Sequence, residues 1–109
     1  MRTIVCHFMD AAELQRHIFY GRTMMPEAIA FLGAKNAEPG ECVKLVVVVE
    51  SLRERIGVKV QVRPRPTTRD VEPFHVHVGE VAGEDQVWLR MFASKIRMMG
   101  RVVGSAWSA

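Results

Sequence analysis

Apolar positions along the chain come in two spacings, and their densest concentration is Glu41–Val62, ECVKLVVVVESLRERIGVKVQV. Leu45 to Val49 run unbroken, a polar break follows, and then Ile56, Val58, Val60 and Val62 alternate strictly with Gly57, Lys59 and Gln61. A short apolar run bounded by turn residues and a period of two both predict strands. Valine, branched at Cβ, is restricted in helices and suits a pleated surface. The spacing therefore predicts a hairpin. Its first strand is expected to be buried on both faces and its second wetted on the side of Lys59, Gln61 and Arg63.

The rest of the chain is expected to pack around that hairpin. Arg2–Phe8 alternates, with Ile4, Cys6 and Phe8 on one side, and predicts a first strand. Asp10 stands where a helix N-cap would, and Glu13 three residues on completes a capping-box pattern. That helix is expected to reach about Tyr20 and stop at Gly21, with Ala11, Leu14 and Ile18 as its apolar face. Ala28–Leu32 reads as a short strand, GAKNAEPG (33–40) and RPRPTTRD (63–70) as turn and loop chemistry. Phe74–Val81 alternates His75, His77 and Gly79 against Phe74, Val76 and Val78, a further strand. From Glu84 to about residue 103 the apolar positions Val87, Trp88, Met91, Phe92, Ile96 and Met99 keep helical spacing. Acids at its start and bases at its end suit the helix dipole. Residues 86–91 alone also fit the end of a strand. The tail 104–109 is expected to fray.

A length of 109 residues makes this a single domain, 1–109, able to bury one core. With 49% hydrophobic and 25% charged residues it reads as globular, and no apolar run approaches the roughly 20 residues of a membrane span. The early acids Asp10 and Glu13 do not suit a secretory signal. Cys6 and Cys42 sit in apolar, strand-like text and read as buried thiols of a cytoplasmic protein. The net charge of +3 is mild, but Arg53, Arg55, Lys59, Arg63, Arg65 and Arg69 face only Glu54 as a nearby acid. Such a local excess attracts anions or, more simply, keeps a strand edge solvated.

Candidate chemistry is sparse. His75 and His77 share a strand face by parity and would reach one metal ion together, but Glu80 has the opposite parity and His7 and His17 lie far off in the sequence. The pair reads better as histidines on a half-exposed face, and a small metal-binding β-domain is the weakest of the functional readings. Neither cysteine stands beside an orienting acid or at a helix start, and no nucleophile elbow, phosphate-binding loop or dinucleotide fingerprint occurs. An enzyme is not expected, and no metal or cofactor is implied. The basic region has no aromatic between Phe31 and Phe74, so base stacking has no platform there and nucleic acid is not favoured. Seven methionines are conspicuous, among them Met98 and Met99, and with Trp107 they exceed what so small a core can absorb. They predict a surface for a protein partner or a second copy on the C-terminal helix.

Phe8-x4-Glu13-Leu14-x5-Tyr20, the stretch into Ala28–Leu32, and Pro39-Gly40-Glu41-x-Val43-x-Leu45 entering the long strand together resemble a PilZ domain of the short, atypical type. The resemblance spans roughly residues 2–81. It implies a mostly β fold with flanking helices: a small antiparallel β-barrel of about six strands, with an early helix and a C-terminal one. PilZ domains bind cyclic di-GMP through an R-x-x-x-R run before the first strand and a D/N-x-S-x-x-G motif, and this chain has neither in place. Arg65-x-x-x-Arg69 has the spacing but follows the hairpin. The resemblance thus implies a non-catalytic adaptor in bacterial signalling or motility, working through Met98, Met99 and Trp107. The alternative it leaves is a receptor for cyclic di-GMP or another phosphate ligand at Arg63, Arg65 and Arg69.

Overall fold

Asp10 ends the first strand and starts the first helix. The computed structural model describes residues 1–32, 37–64 and 76–107. In it Asp10 is extended and its Oδ1 accepts from the Glu13 amide at 2.8 Å, while Glu13 Oε2 reaches back to the Met9 amide at 3.2 Å. One of the amide donors that a helix start leaves open, that of Glu13, is thereby satisfied, and the return contact holds the residue before the cap. Asp10→Ala is expected to lower stability by about 1 kcal/mol in urea denaturation, the usual cost of an N-cap.

The helix so capped, α1 (Ala11–His17), is shorter than the sequence predicts. At Ile18 the backbone turns extended, and β2 (Ile18–Tyr20) follows at once, pairing with β3 (Pro26–Leu32) through Ile18↔Ile29 and Phe19↔Ala28. A β-branched residue followed by two aromatics suits a pleated strand, and the waiting β3 neighbour decides the matter against another helical turn.

The expected hairpin is present. β4 (Cys42–Val49) and β5 (Glu54–Val62) pair antiparallel from Cys42↔Gln61 to Val49↔Glu54. A single 3-10 turn (Glu50–Leu52) joins them and closes on Arg53 in the left-handed region. β1 (Arg2–Phe8) lies against β4, β6 (Val76–Val81) against β5 and β3, and the strand order is β1-β4-β5-β6-β3-β2. This is a mixed six-stranded sheet with one early and one C-terminal helix. It corrects the expected barrel in two respects. β1 runs parallel to β4, and among the described residues the sheet stays open, with β1 and β2 as its edges. Closure needs a continuous ladder between the end strands, and the three residues of β2 offer too short a one.

One face of the sheet is apolar from edge to edge. Cys6 and Phe8, then Val43, Leu45, Val47 and Val49, then Val58, Val60 and Val62, then His77, Gly79 and Val81, then Ile29 and Phe31 are all buried. Val46 and Val48 point the other way and are only half-buried, so β4 is not buried on both faces as expected. Lys59 and Gln61 do lie on the wet face. The parity of β6 is as predicted, but the histidine side faces inward. His77 is 3% exposed and its ring lies 5.6 Å from that of Phe31, so the half-exposed position expected for it is corrected. The lack of a side chain at Gly79 explains the choice. A Cβ there would stand 2.8 Å from Val60 Cβ, so this face can close over the core only with glycine at 79.

The C-terminal helix, α2 (Gly83–Trp107), caps the apolar face. Its first turn is pinned to the sheet: Asp85 Oδ2 accepts from the Lys59 amide at 2.7 Å, and Glu84 pairs with Lys59 Nζ at 3.4 Å. Residues 86–91 are helical throughout. The helix runs past the predicted end near residue 103 and takes in part of the expected tail. No helix among the described residues is long and apolar enough to cross a membrane.

Candidate partner-binding face

A helix of 3.6 residues per turn can bury only one stripe against a sheet. In α2 that stripe is Leu89, Phe92, Ala93 and Ile96, all buried. Val87, Met91, Ser94 and Met98, spaced four, three and four apart, then fall on the opposite side. Val87 is 52%, Met91 57% and Met98 66% exposed. The predicted apolar face is corrected accordingly. Of its members only Phe92 and Ile96 are buried, Met99 is half-buried, and Val87, Trp88 and Met91 face water. So α2 is apolar on two opposite sides, one of them unoccupied by the fold.

The outward side is concave. Val87, Met91, Met98 and Met99 line a groove of about 620 Å³ together with Met25 from the loop between β2 and β3. That loop is held by Gly21, whose amide donates to Met25 O at 2.9 Å and whose carbonyl accepts from the Met24 amide at 3.0 Å. Met24 takes a positive φ of 61° to make the turn, a conformation that costs a non-glycine residue on the order of 1 kcal/mol. The long, flexible thioethers give the groove walls that re-pack around a guest.

Beside the groove lies a second, polar cavity of about 240 Å³, lined by Gln15, Tyr20, Met24, Arg90, Ser94 and Arg97. Arg90 and Ser94 line both spaces. Tyr20 Oη donates to Gln15 Oε1 at 3.0 Å, and the buried Gln15 Nε2 has no partner among the described residues. Arg90 Nη1 rests 3.6 Å from Met25 Sδ, and neither Arg90 nor Arg97 has a carboxylate at ion-pair distance among the described residues.

The residues singled out in the sequence divide three ways. Met98 and Met99 meet in the groove. Trp107 falls in the last turn of α2, with its side chain outside the described part. Arg63 is tied down across the wet face, its Nε donating to Glu80 Oε1 at 3.1 Å, and Arg65, Arg69 and His75 lie outside the described residues. Among the described residues no group of three His, Cys, Asp or Glu is placed to hold a metal ion. What the sequence reading missed is the pair Arg90 and Arg97. Their seven-residue spacing, two turns along one side of a helix, was the available signal, and the denser basic run at 53–69 obscured it. Comparison with known protein families, with characterised proteins and with solved structures finds no match for this chain, so the likeness to PilZ domains stands on the residues quoted for it alone.

Proposed function

We propose that this chain is a non-catalytic adaptor that binds a protein through the outward face of α2, in a signalling or motility system as its PilZ-like text implies. The observation that carries the reading is the apolar stripe Val87–Met91–Met98 turned away from the core and continued by Met25 into a groove. Three large apolar side chains more than half exposed on one helix side, all lining one concavity, are unlike the scattered surface hydrophobics of an ordinary monomer. Burying that side on a partner recovers about 25 cal/mol for each Å² of apolar surface removed from water. Methionine-rich walls suit guests of more than one shape.

The test is Met98→Glu, which sets a charge in the groove while leaving the buried stripe intact. Circular dichroism and urea midpoint are expected to stay at wild-type values. The species that co-purifies from the native cell, or the self-associated form in sedimentation velocity, is expected to disappear. Association unchanged by Met98→Glu would remove the reading.

A further inference from the structure

Apolar groove and polar cavity share a wall, and that wall is cationic. Arg90 and Arg97 stand on one flank of α2, about 10.5 Å apart along its axis, with the Ser94 hydroxyl between them. Every charged group lining either space is basic: Arg90, Lys95 and Arg97. Lys95 is paired with Glu54 at 3.3 Å, but the two guanidinium groups have no such partner among the described residues. The Gln15–Tyr20 pair adds a spare donor whichever way the amide faces. Either Gln15 Nε2 is free, or it donates to Tyr20 Oη and frees the phenol proton. A buried amide left unsatisfied costs on the order of 1–3 kcal/mol, and folded proteins keep few of them without a reason.

From this juxtaposition we infer that the occupant of the α2 face is an acidic amphipathic helix of another protein. Its apolar side chains fill the groove and its carboxylates, one or two turns along the same flank, reach Arg90 and Arg97. A guanidinium fork donates to both oxygens of a carboxylate at once, and the charged groups lining this cavity, Arg90 and Arg97, are both donors. Two acids seven residues apart on the guest would match the two arginines in spacing. A second copy of this chain fits poorly. The acids of α2, Glu84 and Asp85, are already turned onto Lys59, so the facing helix would bring arginine and lysine against arginine and lysine.

The inference rests on the adaptor reading and is tested so that the two can fail separately. A displayed library of random 16-residue peptides is selected on the full chain, and the winners are measured by fluorescence anisotropy against wild type, Met91→Glu and Arg97→Glu. The expected winners carry apolar anchors at helical spacing with Asp or Glu beside them. They lose binding to Met91→Glu altogether and weaken at least tenfold on Arg97→Glu, and a peptide with Lys in place of the acid regains affinity for Arg97→Glu. Winners that need Met91 but show no acidic enrichment and bind Arg97→Glu as well as wild type would overturn the acidic partner and leave the adaptor standing. Winners indifferent to Met91→Glu would overturn both. Saturable inorganic phosphate at Arg90 and Arg97 that acidic peptides do not displace would also overturn it, in favour of a small-anion site.

Discussion

Phe31→Ala is expected to lower the unfolding free energy by about 3–5 kcal/mol, a large part of the roughly 5–15 kcal/mol that holds a domain of this size together. Among the described residues Phe31 is the largest fully buried side chain, 1% exposed at the inward face of β3. It stands in register with His77 of β6, and the space above Gly79 is what admits its ring, Cε1 lying 3.3 Å from where a Cβ would be. Removing the ring opens a cavity on the inward face of the sheet beside the His77 ring and Gly79. A close-packed core relaxes only in part around such a void, so most of the lost contact is not recovered. Phe31→Leu, which keeps much of the apolar volume, should lose clearly less. Urea denaturation at unchanged slope gives both values. A loss below about 1 kcal/mol for Phe31→Ala would mean that the inward face of the sheet is not the core described above.

The hairpin at the centre of that sheet was legible because two independent signals agree there: period two in Ile56–Val62 and a turn-bounded valine run in Leu45–Val49. Where one signal stands alone, the reading slips. Ile18 satisfies the helical spacing of α1 and the strand preference of β2 equally, and only the pairing with Ile29 chooses. His77 and Gly79 share a face as their alternation predicts, but the alternation does not tell which side is inward, because that is set by Gly79 making room for Val60 and Phe31 from two other strands. The parallel pairing of β1 with β4 has no sequence signal at all. It follows from where α1, β2 and β3 return the chain, a property of the assembled sheet.

The same reasoning explains what was readable of the site. An α2 that is apolar on two sides has no unique helical stripe, so spacing alone picks Val87, Trp88 and Met91 as readily as Leu89 and Ala93. The excess of methionine singled out this helix in the sequence, and Met98 and Met99 line the groove on its outward side. The polar cavity was out of reach, since Gln15 and Tyr20 come from α1 and β2 and meet Arg90 and Arg97 only in three dimensions.

Cys6 carries the other large effect, as a dependence of stability on pH. It is 4% exposed on β1, in register with Val47, and burial pushes its thiol from 9.0 up to about 12, with its backbone hydrogen bond opposing in part. In the unfolded chain the same thiol ionises near 9, so above that pH the folded state holds a proton that the unfolded state releases. The contribution is whole below pH 9 and fades as pH climbs toward 12, where it amounts to about 4 kcal/mol lost, three units at 1.36 kcal/mol each. Cys6→Ala removes the titration at the cost of a small cavity. It should therefore be the less stable protein at pH 7, yet lose less on going from pH 9 to pH 11, so that the two stability curves converge in that window. Parallel curves would mean that the thiol is reached by water. In native protein at pH 8, iodoacetamide should label the exposed Cys42 and spare Cys6 until urea unfolds the chain. A buried thiol held protonated in this way is a poor nucleophile at neutral pH, and Cys6 belongs to the apolar core of the sheet together with Phe8 and Val47.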